Sequence, residues 1–247
     1  MFKYIFLGII QGVTEFFPVS SSGHLVILGK LLGITGNEVA LTVVLHLGTL
    51  LALLVFFFKD IFKMLRDIKS LSLIIVVTIV TGIIGITGKD FFEGLFGSPK
   101  LVALALIFTG IILILTKKFM DAKSEVLDIK DALILGLAQG FAIIPGISRS
   151  GITISTLLFR KVDRKTSFRF SFLASIPAVF GAVILKAKDI GLLSSADLKN
   201  FTLGLIFSFI TGIFSLWLLK RIIDKAKLYY FGYYCIFIAL ITIFFIK

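Results

Sequence analysis

The chain has 247 residues, of which 58% are hydrophobic and 16% are charged. Its mean hydropathy is +1.08, whereas roughly 25% of the residues in a soluble globular domain are charged. This combination excludes a disordered chain, a disulfide scaffold and an ordinary cytosolic enzyme, and indicates a protein that crosses a membrane several times. The single cysteine, Cys235, leaves neither a disulfide framework nor a Cys-based metal site.

The formal net charge of +12 would suggest nucleic-acid binding in a soluble protein. Here the basic residues lie in short loops between apolar stretches. Anionic lipid head groups and membrane orientation explain that distribution better, so no nucleic-acid partner is expected.

Six apolar stretches are long enough to cross the roughly 30 Å hydrocarbon core as α-helices. In chain order they are residues 39–58, 71–88, 101–116, 167–185, 201–219 and 228–246. The fourth is interrupted by Arg169 and Pro177 and is the least certain span. The pattern predicts an all-α polytopic membrane protein.

Two further apolar segments, about residues 4–32 and 131–159, are each interrupted near the centre by Pro, Ser and Gly. Neither half of either segment is long enough to cross the membrane alone. Irregular backbone at membrane depth is tolerated only inside protein or beside a water-filled cavity. A kinked span and a re-entrant helix–loop–helix both fit, and we favour the re-entrant interpretation.

The chain matches itself at an offset of 128 residues. Residues 7–12 match residues 135–140, and the Ser-Ser-Ser-Gly of 20–23 matches the Ser-Arg-Ser-Gly of 148–151. Each half therefore has the same plan, a broken segment followed by three spans. We predict one membrane domain over 1–247, with a first repeat at about 1–122 and a second at about 129–247.

Three crossings per repeat is an odd number, which predicts that the two halves are inverted relative to each other. One side of the membrane would hold the loops 59–69, 117–130, 160–169 and 220–227, which contain 17 Lys and Arg. The other side would hold 8. The positive-inside rule makes the more basic side cytoplasmic. Both termini then face outward, and the Ser/Gly tips of the two broken segments meet near the midplane.

The chain has 26 basic residues, 14 acidic residues and 2 histidines, and four of these lie clearly inside apolar segments: Glu15, His24, His46 and Arg149. A charge at the bilayer centre costs on the order of 2.5–3.5 kcal/mol, which makes such residues functional candidates. Glu15, His24 and Arg149 lie in the broken segments. His46 lies in the first full span and is interpreted as a polar group of helix packing.

The first broken segment combines a carboxylate with a run of hydroxyls. Gln11 and Glu15 are four residues apart and share one helix face. That face ends at the turn of residues 18–23, after which a second helix begins near His24. Hydroxyls and backbone N–H groups at a helix N-terminus suit an anion.

The second broken segment repeats this design with Arg149 at the position equivalent to Ser21. A guanidinium binds phosphate oxygens bidentately and keeps its proton. Other hydroxyls of the two turns are expected phosphate donors, with turn formation as the alternative: Ser20, Ser22, Ser148, Ser150 and Thr153. The two segments predict a site for a phosphorylated ligand, with a hydroxyl nucleophile, an imidazole and a carboxylate for phosphoryl transfer.

The motifs Gln-Gly-Val-Thr-Glu-Phe-Phe-Pro-Val-Ser-Ser-Ser-Gly-His and Pro-Gly-Ile-Ser-Arg-Ser-Gly resemble the BacA/UppP family of undecaprenyl-diphosphate phosphatases. The resemblance covers the whole chain. It implies inverted repeats with a re-entrant segment in each, and hydrolysis of undecaprenyl diphosphate to undecaprenyl phosphate at the outer face of the plasma membrane. This reaction recycles the lipid carrier for cell-wall (peptidoglycan) synthesis and is associated with bacitracin resistance.

The resemblance also implies roles for individual residues. Glu15 and His24 match the essential glutamate and histidine, Ser21 matches a proposed nucleophile, and Arg149 matches the phosphate-binding arginine. Whether Ser21 or His24 attacks phosphorus stays open. Gln11 stands where some members have a first glutamate, which weakens the case for a two-carboxylate metal site.

No dedicated metal site is therefore expected, and Mg²⁺ or Ca²⁺ would accompany the diphosphate. The expected partners are a polyprenyl diphosphate and membrane lipids, and self-association is compatible with the sequence. A transporter or flippase of a phosphorylated polyprenyl lipid is the alternative function, because inverted repeats with broken helices are also its architecture. A carrier has little use for a hydroxyl nucleophile beside a base.

Overall fold

The computed structural model describes residues 2–31, 38–95, 98–186 and 195–245. Within these ranges the regular structure is helical, apart from one isolated bridge between Ser124 and Val162. The α-helices are α1 (Phe2–Phe16), α2 (Ser21–Leu31), α3 (Glu38–Phe56), α4 (Phe58–Arg66), α5 (Ile68–Thr87), α6 (Lys89–Leu95), α7 (Pro99–Leu115), α8 (Ile129–Phe141), α9 (Arg149–Phe159), α10 (Arg164–Leu185), α11 (Ser195–Asp224) and α12 (Tyr230–Phe245). A 3-10 helix, Thr116–Phe119, extends α7.

Five helices, α3, α5, α7, α10 and α11, are long and apolar enough to cross a membrane. The last helix, α12, is apolar and has 16 residues. The prediction of an all-α, multi-pass membrane protein is confirmed. The short helices α4 and α6, which lie between spans, were not predicted.

The uncertain fourth span is one continuous helix, α10, with Pro177 inside it. Proline removes a backbone donor and bends a helix. Such a proline is tolerated at membrane depth where neighbouring groups satisfy the exposed carbonyls. Pro177 leaves the Leu173 carbonyl without its helical donor, and the Gln139 side chain of α8 donates to the neighbouring Ala174 carbonyl at 3.4 Å.

Each broken segment forms two short helices. α1 and α2 have 15 and 11 residues, and α8 and α9 have 13 and 11. At about 1.5 Å per residue none of them reaches about 30 Å. Arg160, directly after α9, donates to Asp131 in the first turn of α8 at 2.7 Å. The two ends of this pair therefore lie together, which makes α8 and α9 a helical hairpin and agrees with the re-entrant interpretation.

α1 and α2 also contact each other, and the two pairs are called the first hairpin (α1–α2) and the second hairpin (α8–α9). The first helix of each hairpin packs along a span of the other half, α1 along α11 and α8 along α5. The α1–α11 contact is close because Gly12 and Gly8 face the backbone of α11. A Cβ built at Gly12 would lie 2.0 Å from Thr211 Oγ1 and 2.5 Å from the Ser208 carbonyl oxygen. Small residues let membrane helices approach in this way. The inversion of the two halves stays a prediction.

Replacing Gly12 with alanine is expected to separate α1 from α11, because the added methyl has no space. The expected loss is about 1–3 kcal/mol of unfolding free energy, measured as a lower midpoint of thermal unfolding in detergent. Gly82→Ala on α5 is the matched control, since its Cβ meets nothing within 4 Å. It should be neutral or stabilise by up to about 1 kcal/mol. Equal midpoints for the two variants would contradict this packing.

Candidate active site

The loop of the first hairpin is held by its own serines. Ser20 has a positive φ of 67° and ends the loop before α2. Its Oγ accepts a hydrogen bond from the Gly23 N–H at 3.2 Å, and lies 3.2 Å from Ser22 Oγ. Ser20 therefore caps the N-terminus of α2, and Ser21 becomes the first residue of that helix.

The loop of the second hairpin repeats these hydrogen bonds 128 residues later, although the φ of Ser148 is −79°. Ser148 Oγ accepts from the Gly151 N–H at 3.2 Å and lies 3.3 Å from Ser150 Oγ. Arg149 is the first residue of α9. The structure thus gives Ser20 and Ser148 the helix-capping role that the sequence left open. Phosphate binding by these serines stays a prediction.

The two loops contact each other. Ser150 Oγ donates to the Phe17 carbonyl at 3.3 Å. A Cβ at Gly23 would lie 3.2 Å from the Gly146 Cα, and one at Gly151 would lie 3.2 Å from the Pro18 Cβ. The tips of the two broken segments therefore meet, which brings the start of α2 beside the start of α9.

The Glu15 carboxylate lies at this junction, and it is buried. It forms an ion pair with Arg149 of the opposite hairpin. Its other oxygen, Oε2, accepts from Ser21 Oγ at 2.6 Å and from Gln11 Nε2 at 3.2 Å. Four of the residues predicted from the sequence are thus in one hydrogen-bonded group.

The Arg149 side chain is 15% exposed, and only part of its hydrogen-bonding capacity is used by other side chains. Its Nη2 pairs with Glu15, whereas its buried Nη1 has no hydrogen-bond partner among the described residues. A buried donor without a partner is uncommon in native structures. Arg149 therefore has hydrogen-bonding capacity left for an anion.

His24 belongs to a different contact. Its Nδ1 lies 2.8 Å from the Ser20 carbonyl oxygen, and its Nε2 lies 2.9 Å from the Tyr234 hydroxyl of α12. The two rings are parallel within 2° at 5.7 Å. A carbonyl can only accept, so Nδ1 carries a proton, and in the neutral ring Nε2 accepts from Tyr234. The structure does not bring His24 to Glu15.

His46 of α3 reaches the carboxylate instead. Its Nε2 lies 3.5 Å from Glu15 Oε2, and its Nδ1 lies 2.8 Å from the Thr42 carbonyl oxygen. The interpretation of His46 as a packing group missed this contact. The sequence did contain a signal for a functional role of His46, because it is one of the few ionisable residues inside an apolar span. No sequence signal singled out Tyr234.

Thr153 and Thr109 form hydrogen bonds with the backbone of the second hairpin around Arg149. Thr153 Oγ1 donates to the Arg149 carbonyl at 2.7 Å and lies 2.5 Å from Ser171 Oγ of α10. Thr109 of α7 donates to the Gly146 carbonyl and accepts from the Ser148 N–H, both at 3.1 Å. Gly146 has a φ of 96°, a conformation that favours glycine. Both threonines therefore hold the loop that carries Arg149.

The chemistry of this donor set suits an anionic ligand. In the described ranges, no three His, Cys, Asp or Glu side chains lie close enough together to hold a metal ion. Two helix N-termini, a guanidinium and a hydroxyl on a carboxylate are the groups that bind and attack a phosphate.

Comparison with known proteins agrees with the resemblance seen in the motifs. Residues 4–241 match the family described as bacitracin resistance protein BacA. The chain belongs to this family. Relatives named undecaprenyl-diphosphatase include one from Halothermothrix orenii, 43% identical over 98% of this chain and 97% of its own length. Those from Alkaliphilus metalliredigens and Thermotoga petrophila are 40% and 43% identical, over 99% and 96% of this chain and 98% of each relative.

Family membership leaves open how the loop with Arg149 is held, and Thr109 makes a testable contribution. Thr109→Val keeps the shape of the side chain but leaves the Ser148 N–H and the Gly146 carbonyl without partners. The expected loss is about 1–3 kcal/mol of unfolding free energy, measured by thermal unfolding in detergent. Thr87→Val is the control, because Thr87 is exposed and bonds only to the turn before it in α5. If both variants unfold at the same temperature, Thr109 does not hold the loop.

Proposed function

We propose that this protein is an integral-membrane phosphatase that hydrolyses undecaprenyl diphosphate to undecaprenyl phosphate and phosphate, which recycles the lipid carrier for cell-wall synthesis. The observation that carries the proposal is the Ser21 hydroxyl, bonded at 2.6 Å to a carboxylate that also pairs with Arg149. The relatives named undecaprenyl-diphosphatase match nearly the full length of the chain.

A carrier that only moves a phosphorylated lipid is not favoured by these observations. Binding such a lipid needs cations and N–H donors, which Arg149 and the helix N-termini supply. It does not need a hydroxyl that donates to a buried carboxylate, which is the arrangement of an activated nucleophile.

When the substrate binds, its terminal phosphate replaces the Glu15 carboxylate as the anion bound by Arg149. The terminal phosphate lies between the N-termini of α2 and α9, where backbone N–H groups and the positive ends of both helix dipoles attract it. Arg149 Nη1, which has no hydrogen-bond partner among the described residues, binds a phosphate oxygen. The second nitrogen, Nη2, turns from Glu15 to the phosphate, which releases one carboxylate oxygen.

Phosphoryl transfer then uses the freed carboxylate. Ser21 Oγ attacks the terminal phosphorus while its proton passes to Glu15 Oε2. The Oγ–P bond forms, the bond from phosphorus to the bridging oxygen breaks, and undecaprenyl phosphate leaves with that electron pair. Water next attacks the phosphorus of the phosphoserine, the Oγ–P bond breaks as Glu15 returns the proton to Ser21 Oγ, and the phosphate leaves with both protons of the water.

His24 contacts the substrate from the same side as Ser21, since the two residues are three apart on α2 and share a face. Its Nε2 exchanges the Tyr234 hydroxyl for a phosphate oxygen when it gains a proton. In this proposal His24 is a catalytic residue that contacts the phosphate and does not contact the Glu15 carboxylate. Gln11 holds Glu15, and Thr153 holds the Arg149 backbone.

Divalent cations and membrane orientation complete the proposal. Mg²⁺ or Ca²⁺ would be held by the diphosphate and would neutralise part of its charge, since the Glu15 carboxylate is already bound by Arg149, Ser21 and Gln11. Both termini face outward and the site opens to the outer face of the plasma membrane. The excess of 17 over 8 basic residues in the opposite loops supports this orientation.

The first test is phosphate release from undecaprenyl diphosphate by detergent-purified protein. Arg149→Ala and His24→Ala should each lower kcat by about 10²–10³, because preorganised groups that bind the developing charge are lost. Arg66→Ala is the control, since Arg66 is exposed at the end of α4. Full turnover by both variants would show that the site is elsewhere. Lipid binding without phosphate release by the native protein would favour the flippase.

The nucleophile is identified by trapping the covalent intermediate with substrate labelled on the terminal phosphate. Phosphoserine survives acid and phosphohistidine does not, so we expect an acid-stable label on the peptide that contains Ser21. Ser21→Ala should lose it, whereas Ser70→Ala, at an exposed position of α5, should keep it. An acid-labile label that survives Ser21→Ala would assign the attack to His24.

A further inference from the structure

His46 is the second histidine of the chain, and its two ring nitrogens face different kinds of group. Nδ1 lies 2.8 Å from the Thr42 carbonyl oxygen, which can only accept, so Nδ1 carries a proton. Nε2 lies 3.5 Å from Glu15 Oε2. A neutral ring in this tautomer would point a lone pair at a carboxylate oxygen. A proton between Nε2 and Oε2 removes that repulsion.

The proton belongs to His46 and not to Glu15, because the carboxylate is surrounded by donors. Arg149 pairs with one oxygen, and Ser21 and Gln11 donate to the other. Three donors, one of them a cation, favour the ionised carboxylate. We infer that His46 is an imidazolium in the resting site and acts through Glu15 as a positioning residue, so that one carboxylate is shared by two cations.

This arrangement explains how Arg149 can leave Glu15, a step that rests on the proposed function. A carboxylate buried without a partner is strongly destabilised. When the diphosphate takes Arg149, the His46 cation stays with Glu15 and keeps it ionised and directed at Ser21. His46 therefore lets one arginine serve both the resting enzyme and the substrate.

The surroundings of the pair contain few other charges. Arg149 of α9 reaches it through Glu15. The elements packed on α3 are α1, α4, α10 and α11. α11 contributes Ser208, which donates to the Leu45 carbonyl beside His46 at 2.8 Å. α4 and α10 bring charges together beyond the end of α3, where Arg169 lies 3.8 Å from Asp60. Among the described residues, Glu15 and, through it, Arg149 are therefore the charged groups found at His46.

The protonation state can be read directly, because the chain has 2 histidines. With ¹⁵N-labelled histidine in lipid bilayers, the imidazole ¹⁵N shifts distinguish the imidazolium from each neutral tautomer. At neutral pH we expect one imidazolium and one neutral ring. His46→Gln should remove the imidazolium signals, Glu15→Gln should convert them to a neutral ring, and His24 should stay neutral in both variants. A neutral His46 in the native protein overturns the inference, whether or not the protein releases phosphate.

Kinetics give a second, independent measurement on the phosphatase. His46→Gln keeps a neutral donor to Glu15 in place of the cation, so it should lower kcat about tenfold at neutral pH and leave KM nearly unchanged. Thr78→Ala is the control, because its hydroxyl donates to the Ile74 carbonyl of its own helix, and it should retain the native kcat. An equal kcat for native protein and His46→Gln overturns the inference while leaving the phosphatase assignment intact.

Discussion

The ion pair between Glu15 and Arg149 is the interaction on which the site depends. Removing one partner of a buried ion pair typically costs 3–5 kcal/mol, because a charge is left without compensation. The two residues are 134 positions apart, on different hairpins. The fold must therefore bring two loops together before either charge is stable at this depth. Packing of the two hairpins and formation of the site are therefore coupled.

The turns before α2 and α9 have the same capping hydrogen bonds but are followed by different residues. Ser20 and Ser148 cap their helices through the same bonds, so the residues that follow them, Ser21 and Arg149, begin α2 and α9 in equivalent positions. One repeat places a hydroxyl there and the other a guanidinium. Two turns with the same hydrogen bonds thereby place a hydroxyl and a cation on one carboxylate.

Most of the fold was predictable because hydropathy and length decide what crosses a membrane. The repeat predicted that the tips of the two broken segments meet, but the ion pair of Glu15 with Arg149 was not predicted. The partners of the two histidines were not predictable. His24 reaches Tyr234 across 210 residues, and His46 reaches Glu15 from another helix. Such contacts depend on helix rotation and crossing, which apolar spans without periodic polar faces leave undetermined.

The resting site compensates its own charges before any substrate arrives. Glu15 occupies Arg149 in the way that a phosphate would, and Tyr234 occupies the His24 nitrogen that a phosphate oxygen would take. In the proposed mechanism a diphosphate displaces these internal partners, because it carries more negative charge than one carboxylate and presents more acceptor oxygens. The same displacement would free Glu15 to accept the Ser21 proton. The proposal therefore makes activation of the base depend on binding of an anion, which a neutral lipid does not supply.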